Sequence, residues 1–251
     1  MESYATAGQV YAAGLIFARV GAMVMLIPGV GETMVPPRIR LSFALLLALM
    51  LYPLVGAQMA QAPAEVSGVA GGIIKEVLIG LMIGAILRMM LGSLAVAGEI
   101  LGLQTTLSFA QTANPAEAQP SGSLGAFLVL LGVVLIMSAD LHHLFLSAIV
   151  RSYQLFPVVK ALPVADSGEL AIRTFSQAFA LGVQLSAPVM VFALVFNIAT
   201  GLVGRVMPQF QVFFVATPLN VLFGLSVFAL SLGVIGSVWL SRYRDLLGIF
   251  G

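Results

Sequence analysis

The chain has 251 residues, 60% of them hydrophobic and 8% charged, with a mean hydropathy of +1.09. A water-soluble domain carries about 25% charged and about 45–50% apolar residues, so a soluble fold could not cover this much apolar surface. The 11 basic and 10 acidic residues are scattered, which leaves no basic stripe for nucleic acid, and the absence of cysteine removes disulfides and thiolate metal sites.

A bilayer core of about 30 Å takes about 20 apolar helical residues. Met1, Glu2 and Ser3 lack the cationic start of a secretory signal, so the first apolar run is expected to be retained. That run covers residues 5–28 and is interrupted by Arg19. A polar patch over 31–40 follows, with Pro36-Pro37, then a second run over 41–57 and a loop over 58–68. Residues 69–110 are too many for one straight span and hold Arg88 near their middle, which predicts a helical hairpin turning near 88–95. Residues 111–123 form a polar break with Pro115, Pro120 and Gly122.

The next run, 124–150, carries Asp140, His142 and His143, and 151–173 reads as a polar connection with Pro157 and Pro163. Residues 174–204 and 206–241 have no charge, and Pro188, Pro208 and Pro218 are expected to kink or break them. The expected protein is an all-α integral membrane protein of hydrophobic helical hairpins, about six to seven segments kinked by proline and glycine, in one domain over 1–251. Placing Arg38, Arg40, Arg88, Arg151, Lys160, Arg173, Arg242 and Arg244 on one side leaves Arg205 opposite and predicts a cytoplasmic C-terminus. That assignment needs the hairpin.

Gly68 and Gly72, Gly80 and Gly84, and Gly98 and Gly102 recur at a spacing that lets helix backbones approach in lipid. Arg19 lies deep in an apolar run, where an unpaired charge costs about 2.5–3.5 kcal/mol on insertion scales. Glu99 and Asp140 are its candidate partners, either in a lined pathway or subunit contact, or in a structural ion pair or snorkelling arrangement. Asp140 and His143 share a helix face at i, i+3, whereas His142 and His143 point about 100° apart, so helix contacts are favoured and no metal site is expected. Lys75 and Lys160 follow Ile74 and Val159, which excludes a phosphate loop; Gly29-Val30-Gly31 is followed by Met34 where a dinucleotide fingerprint needs Gly. Neither a zinc-protease nor a serine-hydrolase motif occurs, so the chain is not expected to be an enzyme or to need a cofactor.

The run Gly98-Glu99-Ile100-Leu101-Gly102-Leu103-Gln104, continuing through Leu107-Ser108-Phe109-Ala110 to Asn114-Pro115, resembles a block of the FliR family of flagellar type III export-gate proteins, whose injectisome counterpart is SctT. The stretch Arg205-x-x-Pro208-Gln209-x-x-Val212-Phe213 with Pro218-Leu219, and Arg19, Pro28, Pro36, Arg38, Arg40 and Pro53, resemble it too. Asp140-Leu141-His142-His143 stands where the family usually reads Asn-Gly-His-His, and Gln211 where Asn or Ser is commoner. The Leu107-Ser108-Phe109-Ala110 run favours the flagellar branch.

The resemblance implies a subunit that joins several FliP and FliQ subunits, with FlhB, in a helically arranged pore of the bacterial inner membrane and flagellar basal body. Unfolded flagellar proteins would pass through it. In the assembled family gate the helices form a cone displaced toward the periplasm, so helix count need not equal lipid crossings. The resemblance further implies that a loop plugs the pore, here Phe109 to Ser123 with Gln111, Asn114, Pro115, Pro120 and Ser121. Rival expectations are a plain solvent loop at that place, an ion-coupled transporter using Arg19, Glu99 and Asp140, and a membrane scaffold that does not line the pore.

Overall fold

The computed structural model describes residues 7–56, 63–108, 122–158, 164–207 and 211–248. Regular structure among them is helical: α1 (Ala7–Val24), α2 (Pro37–Val55), α3 (Val66–Gln104), α4 (Ser123–Ser138), α5 (Leu141–Leu155), α6 (Val164–Val206) and α7 (Val212–Leu247). By length and composition α1, α2, α3, α6 and α7 can each cross a membrane, and α4 with α5, bent by 79°, form a sixth candidate. The chain is thus an all-α membrane protein.

Residues 69–110 do not form a hairpin. A single helix runs from Val66 to Gln104. The expected turn rested on the length of the run and on Arg88, but a helix can be longer than one crossing, a lone arginine breaks no backbone bond, and no proline interrupts 66–104. Arg88 instead reaches sideways to Glu32, at 3.6 Å. Without the turn, the alternation on which the sequence-based orientation rested is lost.

The expected polar connection over 151–173 is also shorter than its composition suggests. Helix α5 continues to Leu155 and α6 already starts at Val164. Asp166 in the first turn of α6 complements the helix dipole, and Glu169 pairs with Arg173 one turn on, at 3.2 Å. Polar residues here extend a helix rather than end it. Pro188 and Pro218 likewise lie inside the continuous helices α6 and α7, and Pro208 lies outside the described residues.

The chain gathers into two compact units, one of Met1–Met89, Ile136–Phe175 and Arg244–Gly251, the other of Met90–Leu135 and Ser176–Tyr243. In the first, α1 lies along α2 and along the first half of α3. Gly72 faces Tyr11, Gly80 faces the Arg19 carbonyl and Ala22, and Gly84 faces Leu26. The two series rise together, so α1 and α3 run parallel. These glycines are needed for the approach itself: a Cβ on Gly84 would stand 2.8 Å from the Leu26 Cβ. Such close backbone packing is what holds helices together in lipid, where apolar burial alone gives little preference for a neighbour helix over an acyl chain.

In the second unit the latter half of α3 is the common support. Gly98 meets the backbone of Gly125 on α4, Gly182 on α6 meets the Ser93 carbonyl and Val96, and Gly224 on α7 meets Thr105. Trp239 of α7 is fully buried; its Nε1 donates to the Met90 carbonyl and the Ser93 hydroxyl, both at 3.1 Å. Of the remaining expected packing glycines, Gly68 faces Pro63 and Gly102 faces Ser108 rather than another helix.

These contacts predict opposite outcomes for one substitution at different glycines. Gly98→Ala puts a methyl into the Gly125 backbone and should destabilise by about 1–3 kcal/mol. Gly14→Ala and Gly21→Ala meet nothing within 4 Å and should be neutral or stabilise by up to about 1 kcal/mol. Thermal unfolding in one detergent compares all three; a Gly98 variant as stable as the parent would refute the α3–α4 contact.

Candidate functional site

Arg19 has no solvent exposure. Its partner is neither Glu99 nor Asp140 but Glu76 on α3: Nε donates to Oε2 at 2.6 Å and an Nη to Oε1 at 3.1 Å. The remaining donors turn to the C-terminal end of α5, meeting the carbonyls of Ser152 and Phe156, each at 2.8 Å. A cation at that end is favoured by the helix dipole. The Tyr153 ring lies 4.1 Å from the guanidinium carbon, adding a cation–π contact. Beside this group Lys75 donates to the Val158 carbonyl at 2.5 Å. One guanidinium therefore joins α1, α3 and α5.

The signal for Glu76 was present in the sequence. Positions 72, 76, 80 and 84 fall on one helix face at four-residue spacing, three of them glycine and one glutamate. The stripe that brings α1 close to α3 carries its carboxylate in the gap between the glycine pairs.

A second constellation surrounds the polar break. Its residues Phe109, Gln111, Asn114, Pro115, Pro120 and Ser121 lie outside the described residues, but both ends of the break are described. On the C-terminal side, the Glu99 carboxylate accepts the Gly122 backbone N–H. The Gly122 carbonyl in turn accepts from Ala126 in the first turn of α4, at 3.0 Å. Glu99 thus sits at a helix N-terminus, where its negative charge is favoured without a basic partner.

On the N-terminal side, Asn220 of α7 donates from Nδ2 to the Gln104 carbonyl at 3.0 Å. It is the Gln104 backbone that is used here. The chain then leaves α3 through Thr106 in the left-handed region, at φ 59°. The Asn220 Oδ1 is buried without a partner among the described residues, beside a cavity of about 330 Å³ lined by Thr106, Thr200 and Thr217 among others. Asn220 and Gly224, which make room for the end of α3, were not singled out from sequence, because an uncharged amide in an apolar run gives no spacing signal.

Asp140 was expected on a helix face with His143. It lies instead at the break between α4 and α5, in the left-handed region at φ 56°. Pro36 and Arg38 are exposed at the start of α2, where Pro37 takes the first helical position. Arg40 is half-buried, with Nε lacking a partner among the described residues. Arg205 is exposed in the last turn of α6, the end at which a cation is favoured, and Pro208 and Gln209 lie outside the described residues.

Two of the ion pairs of the first unit differ in burial, and the difference is measurable. Glu76→Gln leaves a buried guanidinium without its counter-charge and should destabilise by about 3–5 kcal/mol. Arg88→Gln breaks a pair that solvent reaches and should change stability by less than about 1 kcal/mol. Replacing Arg19 and Glu76 together by leucine should recover part of the single-variant loss. Chemical denaturation in detergent reads all three, and equal losses for Glu76→Gln and Arg88→Gln would contradict the burial described.

The sequence over residues 10–246 matches the family described as Bacterial export proteins, family 1. The chain is 58% identical over 250 residues to the flagellar biosynthetic protein FliR of Caulobacter vibrioides, covering 100% of both chains. It is 28% identical to FliR of Bacillus subtilis over 94% of this chain and 95% of that one. With FliR of Escherichia coli the identity is 28%, over 84% of this chain and 80% of that one. The chain therefore belongs to the family 1 bacterial export proteins, the family of the flagellar biosynthetic protein FliR.

Proposed function

We propose that this chain is a subunit of the flagellar type III protein export gate in the bacterial inner membrane, helping to form and plug the pore through which unfolded flagellar proteins cross. It acts as one export-gate domain over residues 1–251, assembled with FliP and FliQ and associated with FlhB, with no catalytic step. Similarity along the whole chain to flagellar FliR proteins supports the flagellar assignment over an injectisome SctT-type subunit.

The observation that supports the plug is that the described residues on either side of 109–121 are held in place. Glu99 holds Gly122 on one side, and Asn220 holds the end of α3 on the other, all within one unit. A segment with fixed roots can be pushed aside by cargo and return, because the bonds at the roots need not break when its middle moves. Between them stand Phe109, an apolar stopper, and polar residues suited to a watery lumen.

Deleting Gln111 to Gln119 should make the assembled gate leak ions across the inner membrane. Glu99→Ala, which frees the Gly122 root, should leak less than the deletion and more than the parent. A deletion gate that assembles and stays tight would remove the plug from this reading. Crosslinking from Phe109 to an arrested export substrate would favour the gate over a scaffold that does not line the pore. Solute uptake by the purified chain alone would favour a transporter instead.

A further inference from the structure

The break between α4 and α5 brings together three side chains for which the export function has no use. The polypeptide turns through 79° there, and Asp140 makes the turn in the left-handed region, φ 56° and ψ 22°. Aspartate tolerates that region better than most non-glycine residues. Asp140 occupies the N-cap position of α5 yet its carboxylate caps no backbone N–H, so the usual reason for aspartate at a helix start does not apply.

The ligand-capable atoms of Asp140, His142 and His143 instead all lie within 4.8 Å of one another. The two imidazole rings sit 4.1 Å apart between centroids, tilted by 37°. No ion pair joins Asp140 to either histidine within 4.0 Å among the described residues. The His142 Nδ1 is buried and has no hydrogen-bond partner among the described residues.

We propose that Asp140, His142 and His143 bind a divalent transition-metal cation of the zinc class. Two imidazole nitrogens and one carboxylate oxygen form a borderline donor set; magnesium and calcium take oxygen ligands instead. Bonds of about 2.0–2.2 Å to a central ion put tetrahedral ligand atoms about 3.4 Å apart, so the three side chains need close by no more than about 1.4 Å. Rotation about their side-chain bonds supplies that, since Asp140 and His143 are exposed and His142 is half-buried. The cation gives the orphaned imidazole and the uncapped carboxylate the partner that the fold does not. Three protein ligands leave a fourth position for water.

The ion would tie the residue that makes the turn to the first turn of α5, stiffening the bend. His142 also lines an apolar cavity of about 220 Å³ with Ile27, Pro28 and Phe145, so the same clamp would fix one wall of that cavity.

The test uses the full chain extracted in detergent and carrying no polyhistidine tag, titrated with Zn²⁺ against a chromophoric chelator. One Zn²⁺ per chain with a micromolar dissociation constant is expected, and X-ray absorption at the zinc edge should show only nitrogen and oxygen ligands. Asp140→Asn keeps a residue that tolerates the left-handed region and His143→Ala keeps a helix former. Each should weaken binding at least about tenfold and abolish any rise of the unfolding midpoint with Zn²⁺, while the metal-free midpoint stays near that of the parent. Binding of unchanged strength in both variants, or no saturation by the parent below millimolar Zn²⁺, would overturn the site.

Discussion

A guanidinium with no access to water can exist in an apolar helix bundle only where its charge and its donors are met. Arg19 satisfies this with the Glu76 carboxylate, the Ser152 and Phe156 carbonyls and the Tyr153 ring. Those partners lie on or at the end of two other helices, so their positions are set by one side chain. Gly80 completes the arrangement by letting the α1 backbone at Arg19 come against α3 one turn from Glu76. Removing either charge strands the other, so the two are kept or replaced together.

The second unit meets the same difficulty by different means. Glu99 has no basic partner among the described ion pairs. The N-terminus of α4 takes that place, supplying a backbone N–H and the positive end of a helix dipole. Because that N-terminus is also where the polar break re-enters helix, the cost of keeping a carboxylate in an apolar setting is offset at the point that fixes the break. Asn220 and Gly224 do the corresponding work where the chain leaves α3. Charge compensation and loop anchoring are thus one arrangement.

Much of this architecture was legible in the sequence. The long apolar runs announced helices, and the four-residue glycine spacing announced close approach between them. The expected hairpin failed because neither the length of 69–110 nor Arg88 requires a turn. An arginine with a partner at the side interrupts hydropathy without interrupting hydrogen bonding. The stretch 151–173 misled in the same way, since Asp166, Glu169 and Arg173 are placed to suit a helix start and an i, i+4 pair. Arg19 was correctly marked as needing a partner, but residues distant in sequence carry no phase relation to it. Only the glycine stripe around position 76 held that information. Asp140 was misplaced because a left-handed turn by a non-glycine residue has no periodic signature.

Helices α3, α6 and α7 have 39, 43 and 36 residues. At 1.5 Å per residue they measure about 58, 64 and 54 Å, close to twice a hydrocarbon core of about 30 Å. Exposed apolar side chains run along α6 from Ile172 to Val206, about 51 Å of helix, longer than that core. A copy left uncovered would be an orphan displaying grease to proteases and chaperones. Cells making this chain therefore need its supply matched to that of whatever shields it.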